Sequence, residues 1–286
     1  YSAVDPALTN EKCNFWHFRF DAHSDIKMNA LTDVMAADEG IKSVYLIGQD
    51  YAFGQAVAAG AERMLGEKRP DIEIVGNELH PIGRVQDFTP YARNVKASGA
   101  DALITGNWGG DMVGLGKAIL EADLDIPVYT YYAAGDGITA LFGEAGDGVI
   151  QLVAEGQPAN PSDEFRAFRA AFKEQFPDSD LTQPRIINTI GMLAQAMQAA
   201  GSVEPQAVAY AMEDMTYDSM LGTTVTMRGA DHQAIQNVHV MSHTNDDLPT
   251  DSAGNVMDFD NSGYGVVATA TVENATVDHS CEMKRP

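Results

Sequence analysis

The chain has 286 residues, 45% hydrophobic and 21% charged, which is long enough for two domains or for one large α/β domain. Its 41 acidic residues against 18 basic ones give a formal net charge of −23. A surface of that sign repels nucleic-acid phosphates and anionic lipids, which argues against binding to DNA, RNA or a membrane surface.

Strand and helix patterns alternate over roughly the first 154 residues, which is typical of parallel βα units. The pattern predicts an α/β fold with its strands in one sheet. Three predicted helices run from Ser24, as N-cap, to Gly40, from Phe53 to Leu65, and from Phe88 to Ala97. A fourth has Asp111 as its cap and an apolar face formed by Met112, Leu115, Ile119 and Leu120, and a short fifth covers Ile138–Phe142. The predicted strands are KSVYLI, IEIVGNEL, DALITG, IPVYTYY and GVIQLVA.

After the proline-rich segment QPANP at 157–161, the pattern becomes mainly helical and then changes to strands. The predicted elements are a helix capped by Ser162, a helix from Arg185 that buries Ile186, Ile190, Leu193 and Met197, a helix from Pro205 to about Met215, and the strands TTVTMR, NVHVMS and YGVVATATV. The three helices have apolar faces and no evident sheet of their own. They either cover the first sheet or belong to a sheet that is not in this chain.

Five aromatic residues sit where predicted strands end: Tyr51, Phe53 and Trp108 after their strands, and Tyr131 and Tyr132 at the close of IPVYTYY. The carboxyl ends of parallel strands form the edge where α/β sheets bind ligands. Aromatic faces gathered at that edge predict a cleft for a small molecule. Packing of the individual rings in the core is the alternative for each of them.

Cys13 and Cys281 lie near opposite ends of the chain, without the spacing of a metal site. A disulfide between them would indicate an oxidising compartment, and two unpaired buried thiols are the alternative. The segment DFDNSG at 258–263 copies half of a calcium loop, but Thr269 stands where that loop needs a glutamate. Enzyme motifs such as GxSxG, HExxH and the P-loop are absent, so we expect no cofactor and no metal.

Five segments in order carry a family resemblance: YSAVDPALTN, FWHFRFDA, VYLIGQDYAFGQAVAAG, DALITGNWGGDMVGLGKA and TVTMRGADHQAIQNVHV. This order resembles the substrate-binding proteins of branched-chain amino acid ABC transporters, which are type I periplasmic binding proteins similar to the leucine/isoleucine/valine-binding family. The resemblance implies two Rossmann-like lobes joined by a hinge, with the ligand between them. It also implies that the first lobe is incomplete here, by roughly a hundred residues for a lobe of usual domain size.

The resemblance divides the chain into four parts. It assigns residues 1–17 to the end of lobe one and the first crossing, 18–154 to lobe two, 155–218 to helices of lobe one, and 219–286 to the third crossing and the last strands of lobe two. It places Phe53 and Trp108 at pocket positions, with Tyr51 in the same loop as Phe53.

Tyr132 stands where amino-acid binders of the family have a carboxylate for the ligand's ammonium group. A phenol cannot make that charge-assisted contact, although Asp111 or Asp136 could supply the charge from nearby. Arg19 resembles a family arginine near the hinge. It could bind a ligand carboxylate, or it could form a structural ion pair with Asp21 or Asp50.

The resemblance thus implies a periplasmic solute-binding component of an ABC importer, working with a permease of the inner membrane and catalysing no reaction. The sequence has no run of 18 apolar residues, and its opening residues show no signal peptide, as expected of a cytosolic or a processed protein. The expected ligand is a small carboxylate of aromatic or amide type, with branched-chain amino acids second. The alternatives are a hydrolase-like α/β enzyme that uses the same crevice and a ligand-sensing domain of a receptor.

Overall fold

A computed structural model of the chain describes residues 3–134, 138–156, 162–177, 179, 181, 185–244, 256–257 and 263–286. Its strands are β1 (Ser43–Gln49), β2 (Glu73–His80), β3 (Ala102–Thr105), β4 (Val128–Thr130), β5 (Ile150–Glu155), β6 (Thr216–Asp218), β7 (Thr224–Arg228), β8 (Gln233–Ile235), β9 (Val238–Thr244), β10 (Val256–Met257) and β11 (Gly263–Ala270). Its helices are α1 (Ser24–Ala37), α2 (Ala52–Lys68), α3 (Thr89–Ser98), α4 (Gly109–Glu121), α5 (Ile138–Phe142), α6 (Asp163–Gln175), α7 (Arg185–Ala200), α8 (Pro205–Met212) and α9 (Val272–Ala275).

The larger sheet has the strand order β10-β11-β9-β5-β4-β3-β1-β2. Strands β1 to β5 pair in parallel, and β9, β10 and β11 extend the sheet in antiparallel pairs. One core cluster holds α1 and α2 against the sheet, and a second holds α3 and α4. Because helices cover both faces, the central strands β1, β3, β4 and β5 are buried on both sides, and the predicted α/β class with parallel βα units is confirmed.

A smaller antiparallel sheet, β6-β7-β8, packs against α7 and α8. The expectation that these helices have no sheet of their own is therefore wrong for α7 and α8. Strand β8 has three residues, which is too short for a periodic pattern to reveal.

The buried face of α7 also differs from the prediction. Ile186 and Ile190 are exposed, whereas Met192 and Ala196 are buried in the cluster that α7 shares with α8 and β7. A Cβ on Gly191 would overlap the Tyr217 ring of β6, so small residues on this side let the sheet approach closely. Close packing of the α7 backbone at Gly191 against the Tyr217 ring therefore determines which face of α7 is buried, rather than the hydrophobicity of single residues.

Three helix caps test the local predictions. Ser162 accepts a hydrogen bond from the Phe165 amide at 3.1 Å, as predicted, and Gly99 ends α3 in the left-handed conformation at φ 69°. Ser24 is instead the first residue of α1, and His23 is the N-cap. The Ser24 amide donates to the Val4 carbonyl at 3.0 Å. The helix therefore begins one residue earlier than predicted, with Ser24 inside its first turn.

The C-terminal segment returns to the N-terminal one and is bonded to it. Cys13 and Cys281 form a disulfide with their Cα atoms 5.6 Å apart, which confirms the bridged alternative. Beside it, the Ser280 amide donates to Asn10 Oδ1 at 2.9 Å. None of the helices that the structure describes is both long and apolar enough to cross a membrane.

Candidate functional site

The candidate site lies at the carboxyl edge of the larger sheet. Tyr51 follows β1 as the N-cap of α2, Trp108 follows β3 as the N-cap of α4, and Tyr131 and Tyr132 follow β4. Because β1, β3 and β4 are adjacent and parallel, these turns lie side by side. The fold thereby places at one edge residues that are up to 81 positions apart, from Tyr51 to Tyr132.

The five rings, which we call the aromatic cluster (Tyr51, Phe53, Trp108, Tyr131 and Tyr132), form a connected set. Phe53 is central, with its ring centroid 5.9 Å from Tyr51, 5.7 Å from Tyr131 and 5.9 Å from Tyr132, each in edge-to-face geometry. The Trp108 indole N–H donates to the Tyr51 hydroxyl at 2.8 Å. Edge-to-face contacts of this kind orient each ring by its neighbours.

The aromatic cluster has an inner and an outer layer. Phe53 and Tyr131 are buried, and the Tyr131 hydroxyl donates to the Ser24 carbonyl at 3.0 Å. Trp108 is 43% exposed, and Tyr51 and Tyr132 are half-buried. Burial raises the pKa of Tyr51 and of Tyr132, so both phenols stay neutral near pH 7. The outer layer therefore offers two ring faces and an indole to a molecule at the sheet edge.

The turn between β1 and α2 depends on Gly54. A Cβ at this position would overlap the carbonyl oxygen of Gln49 at the end of β1. Glycine thus lets the first turn of α2 lie directly on the strand, which sets the positions of Tyr51 and Phe53.

We expect Gly54→Ala to lower the free energy of unfolding by about 1–3 kcal/mol, since the added methyl group meets backbone that cannot rotate away. Gly66→Ala is the matched control, because Gly66 lies on the same helix with open space around its Cα. There the change should stabilise the protein by about 0.5–1 kcal/mol. Urea unfolding of both variants measures the difference, and equal effects would show that the Gly54 contact is unimportant.

Beneath the aromatic cluster lies a group of four buried charges, which we call the charge cluster: Asp21, Lys27, Glu155 and Arg185. Lys27 Nζ lies 3.0 Å from Glu155 Oε2, and Arg185 Nε lies 3.1 Å from Asp21 Oδ1 and 3.6 Å from Glu155 Oε1. The side chains of Lys27 and Glu155 are 0% exposed. Lys27 Nζ also lies 5.0 Å from the centre of the Tyr132 ring, so a cation–π contact joins the two clusters.

The paired charges keep Lys27 and Glu155 ionised despite their burial. Burial, the largest single effect, would lower the pKa of Lys27, but the Glu155 carboxylate together with Tyr132 and Asp21 outweighs it, and the pKa is raised. Burial would likewise raise the pKa of Glu155, but Lys27 and Arg185 together hold it below its usual value. No motif in the sequence marks this cluster; the one available signal is a lysine among the mainly apolar buried residues of α1.

Arg19 is buried next to β8, and its Nη2 donates to the Asp5 carbonyl at 2.8 Å. Burial lowers the pKa of Arg19 to about 10, against the opposing effect of Asp5, Asp21 and Asp231. The described contacts of Arg19 do not include the aromatic cluster, so its role toward a ligand stays a prediction. Asp136 lies outside the described residues, as do 157–161 and most of DFDNSG.

Asp111 does not cap α4 as predicted. Its carboxylate points back across the sheet edge, where Oδ2 accepts from Gln49 Nε2 at 2.7 Å and from the Gly83 amide at 2.8 Å. The Asp111 carboxylate thus binds these two donors instead of the first amides of α4, and Trp108 is the N-cap residue. Among the described residues, no group of three or more His, Cys, Asp or Glu side chains is arranged to hold a metal ion.

The sequence profile of a family described as periplasmic binding protein matches residues 1–247. The Leu/Ile/Val-binding protein homolog 4 of Brucella abortus (strain 2308) is 27% identical over 297 residues, an overlap that covers 98% of this chain. The chain spans 67% of the length of that relative.

Two solved structures share the fold. The first is the leucine-, isoleucine-, valine-, threonine- and alanine-binding protein of Brucella ovis, in a closed conformation, with a TM-score of 0.82 and 25% identity. The superposition covers 99% of this chain and 72% of the Brucella ovis chain. The second is a solute-binding protein of an ABC transporter from R. palustris, in complex with benzoate, with a TM-score of 0.78 and 20% identity. The superposition covers 98% of this chain and 72% of the R. palustris chain. These likenesses agree with the predicted fold, and the chain belongs to the periplasmic binding protein family.

Proposed function

We propose that the protein is the extracytoplasmic solute-binding component of an ABC importer and that it holds a small carboxylate against the aromatic cluster. The observation that carries the proposal is the outer layer of Tyr51, Trp108 and Tyr132 at the carboxyl edge of a parallel sheet. Ligands of open α/β sheets bind at this edge. Binding without chemistry is the activity of the family and of the relatives, so we set aside the hydrolase alternative.

An aromatic or amide-type carboxylate fits the site better than a plain α-amino acid. Tyr132 occupies the position where the resemblance puts the carboxylate for a ligand's ammonium group, and its phenol is neutral. Ring faces favour a flat, weakly polar ligand that stacks on them. The benzoate held by the R. palustris protein supports this class, and the amino acids named for the Brucella ovis protein support branched-chain amino acids as the second class.

The lobes would close around the ligand. We assign β1–β5 with β9–β11 to one lobe, and α7 and α8 with the small sheet to the other, because each set has its own core cluster. The charge cluster joins them, since Glu155 ends β5 and Arg185 begins α7. Closure around a solute presents a distinct surface to a membrane permease, which is the partner we propose.

The test is isothermal titration calorimetry of the protein with benzoate and with leucine, using Trp108→Ala as the site variant. We expect one of the two ligands to bind and the variant to bind it at least about tenfold more weakly, because a ring face at the centre of a site is lost. Trp16→Ala is the matched control, since Trp16 is 55% exposed and lies outside the aromatic cluster. An unchanged affinity in Trp108→Ala would contradict the proposed site.

A further inference from the structure

A cavity of about 270 Å³ adjoins Trp108 on the sheet edge. It lies between the end of β1, the loop after β2 and the first turn of α4, and its walls include Gln49, Ile82, Val85, Trp108 and Asp111. Trp108 belongs both to this cavity and to the aromatic cluster. A ligand stacked on the outer rings could therefore extend into the cavity without leaving the sheet edge.

Gln49, in the wall of this cavity, has an unused hydrogen-bond acceptor. The side chain is 2% exposed, and its Nε2 donates to Asp111 Oδ2 at 2.7 Å, which determines which way the amide group points. Its Oε1 is buried and has no hydrogen-bond partner among the described residues. A buried carbonyl oxygen without a donor is costly, and such atoms are normally paired.

Asp111 presents a second acceptor in the same place. Asp111 is only 5% exposed. Its two described donors, Gln49 Nε2 and the Gly83 amide, both bind the same carboxylate oxygen, Oδ2. The hydrogen bonds of the described residues leave Oδ1 without a donor. A carboxylate can accept about four hydrogen bonds, so this one has capacity left on the oxygen that the protein does not use.

We propose that this cavity is a subsite for a nitrogen donor group of the ligand, an ammonium or a primary amide, which Asp111 Oδ1 and Gln49 Oε1 accept beside the Trp108 ring. The proposal rests on the proposed function and narrows its ligand class. Both oxygens accept hydrogen bonds from N–H groups, and the negative charge of Asp111 repels a ligand carboxylate. An indole face adds attraction for a cation.

The ligand is therefore a small molecule with two unlike ends. One end is a carboxylate directed away from Asp111, and the other is a nitrogen donor directed into the cavity. Amino-substituted aromatic acids and amino acids with a side-chain nitrogen have this form, whereas benzoate and leucine lack the second end. Each would then be a partial ligand that occupies the aromatic cluster alone.

Two matched ligand pairs test the subsite by calorimetry at pH 7. The first pair is 4-(aminomethyl)benzoate and 4-methylbenzoate, and the second is lysine and norleucine. Within each pair, one member carries an ammonium group on the carbon where the other has only hydrogen. Asp111→Asn is the site variant, and Glu121→Gln, an exposed residue at the far end of the same helix, is the control with the same change in charge.

In the pair that binds, we expect the wild type to prefer the member with the additional ammonium group by about 10- to 100-fold. Asp111→Asn should reduce that preference below about threefold while keeping the affinity for the member that lacks this group, which also shows that the variant is folded. Glu121→Gln should keep the preference. Equal binding of both members by the wild type, or a preference that survives in Asp111→Asn, would overturn the subsite and leave the proposed function standing. If no member of either pair binds, the proposed function fails and the subsite fails with it.

Discussion

Lys27→Met is expected to lower the free energy of unfolding by about 3–5 kcal/mol, because removal of one partner leaves the other buried charge uncompensated. Among the described residues, Glu155 would keep Arg185 as a counter-charge, at 3.6 Å and shared with Asp21. Urea unfolding measures the loss. Lys42→Met is the matched control, since Lys42 forms an exposed pair with Asp71 at 3.4 Å and should contribute under about 1 kcal/mol.

The double variant Lys27→Met/Glu155→Gln separates the two causes of that loss. If the uncompensated charge is the cause, neutralising Glu155 should recover a large part of the stability, because Arg185 and Asp21 still pair with each other. If Lys27 contributes by packing alone, the double variant should be no more stable than the single one. A Lys27→Met variant that behaves like Lys42→Met would contradict the buried ion pair.

The pH dependence of this loss follows from the directions of the two pKa shifts. Glu155 has a lowered pKa in the folded state, so its contribution is present above 4.5, its ordinary pKa, and is lost as pH falls through the folded value. Lys27 has a raised pKa, so its contribution is complete below 10.5 and is lost as pH rises through the folded value. The contribution of the pair to the stability of the wild type should therefore be complete between these limits and shrink outside them.

Loss of the disulfide between Cys13 and Cys281 is expected to lower the free energy of unfolding by about 2–5 kcal/mol. The bridge closes a loop with a sequence separation of 268 residues, which restricts the unfolded chain strongly. Thermal unfolding with and without a reductant measures the effect on the wild type. The variant Cys13→Ser/Cys281→Ser should match the reduced wild type and should not respond to the reductant. A wild type whose thiols titrate as reduced, yet which melts at the same temperature, would contradict a stabilising role.

Local patterns predicted the larger sheet well, for a physical reason. Its strands are short apolar runs between helices with regular apolar spacing, and parallel βα units leave little freedom in how such elements combine. The face of α7 was predicted wrongly because Ile186 and Ile190 are the more hydrophobic residues, while Met192 and Ala196 fit the space against α8 and β7. Shape at a particular interface is not encoded in periodicity.

The candidate site was predictable only in part. The aromatic cluster could be predicted because each ring lies within a few residues of the end of a strand, and parallel strands bring their ends together. The charge cluster could not, since Asp21, Lys27, Glu155 and Arg185 come from separate parts of the chain, and a single lysine among the buried residues of α1 does not indicate its partners. The contact between Gln49 and Asp111 was missed because an aspartate in the first turn of a helix normally caps it.

The most direct test of ligand binding at the aromatic cluster is a native mass spectrum of the purified protein, followed by release and weighing of any bound molecule. We expect a noncovalent adduct of one small carboxylate per chain, released unchanged, with the adduct diminished in Trp108→Ala and retained in Trp16→Ala. A spectrum without an adduct, from a protein that also fails to take up benzoate or leucine when they are added, would contradict the account. A released molecule that had been chemically converted would contradict it as well, because the protein would then be an enzyme rather than a carrier.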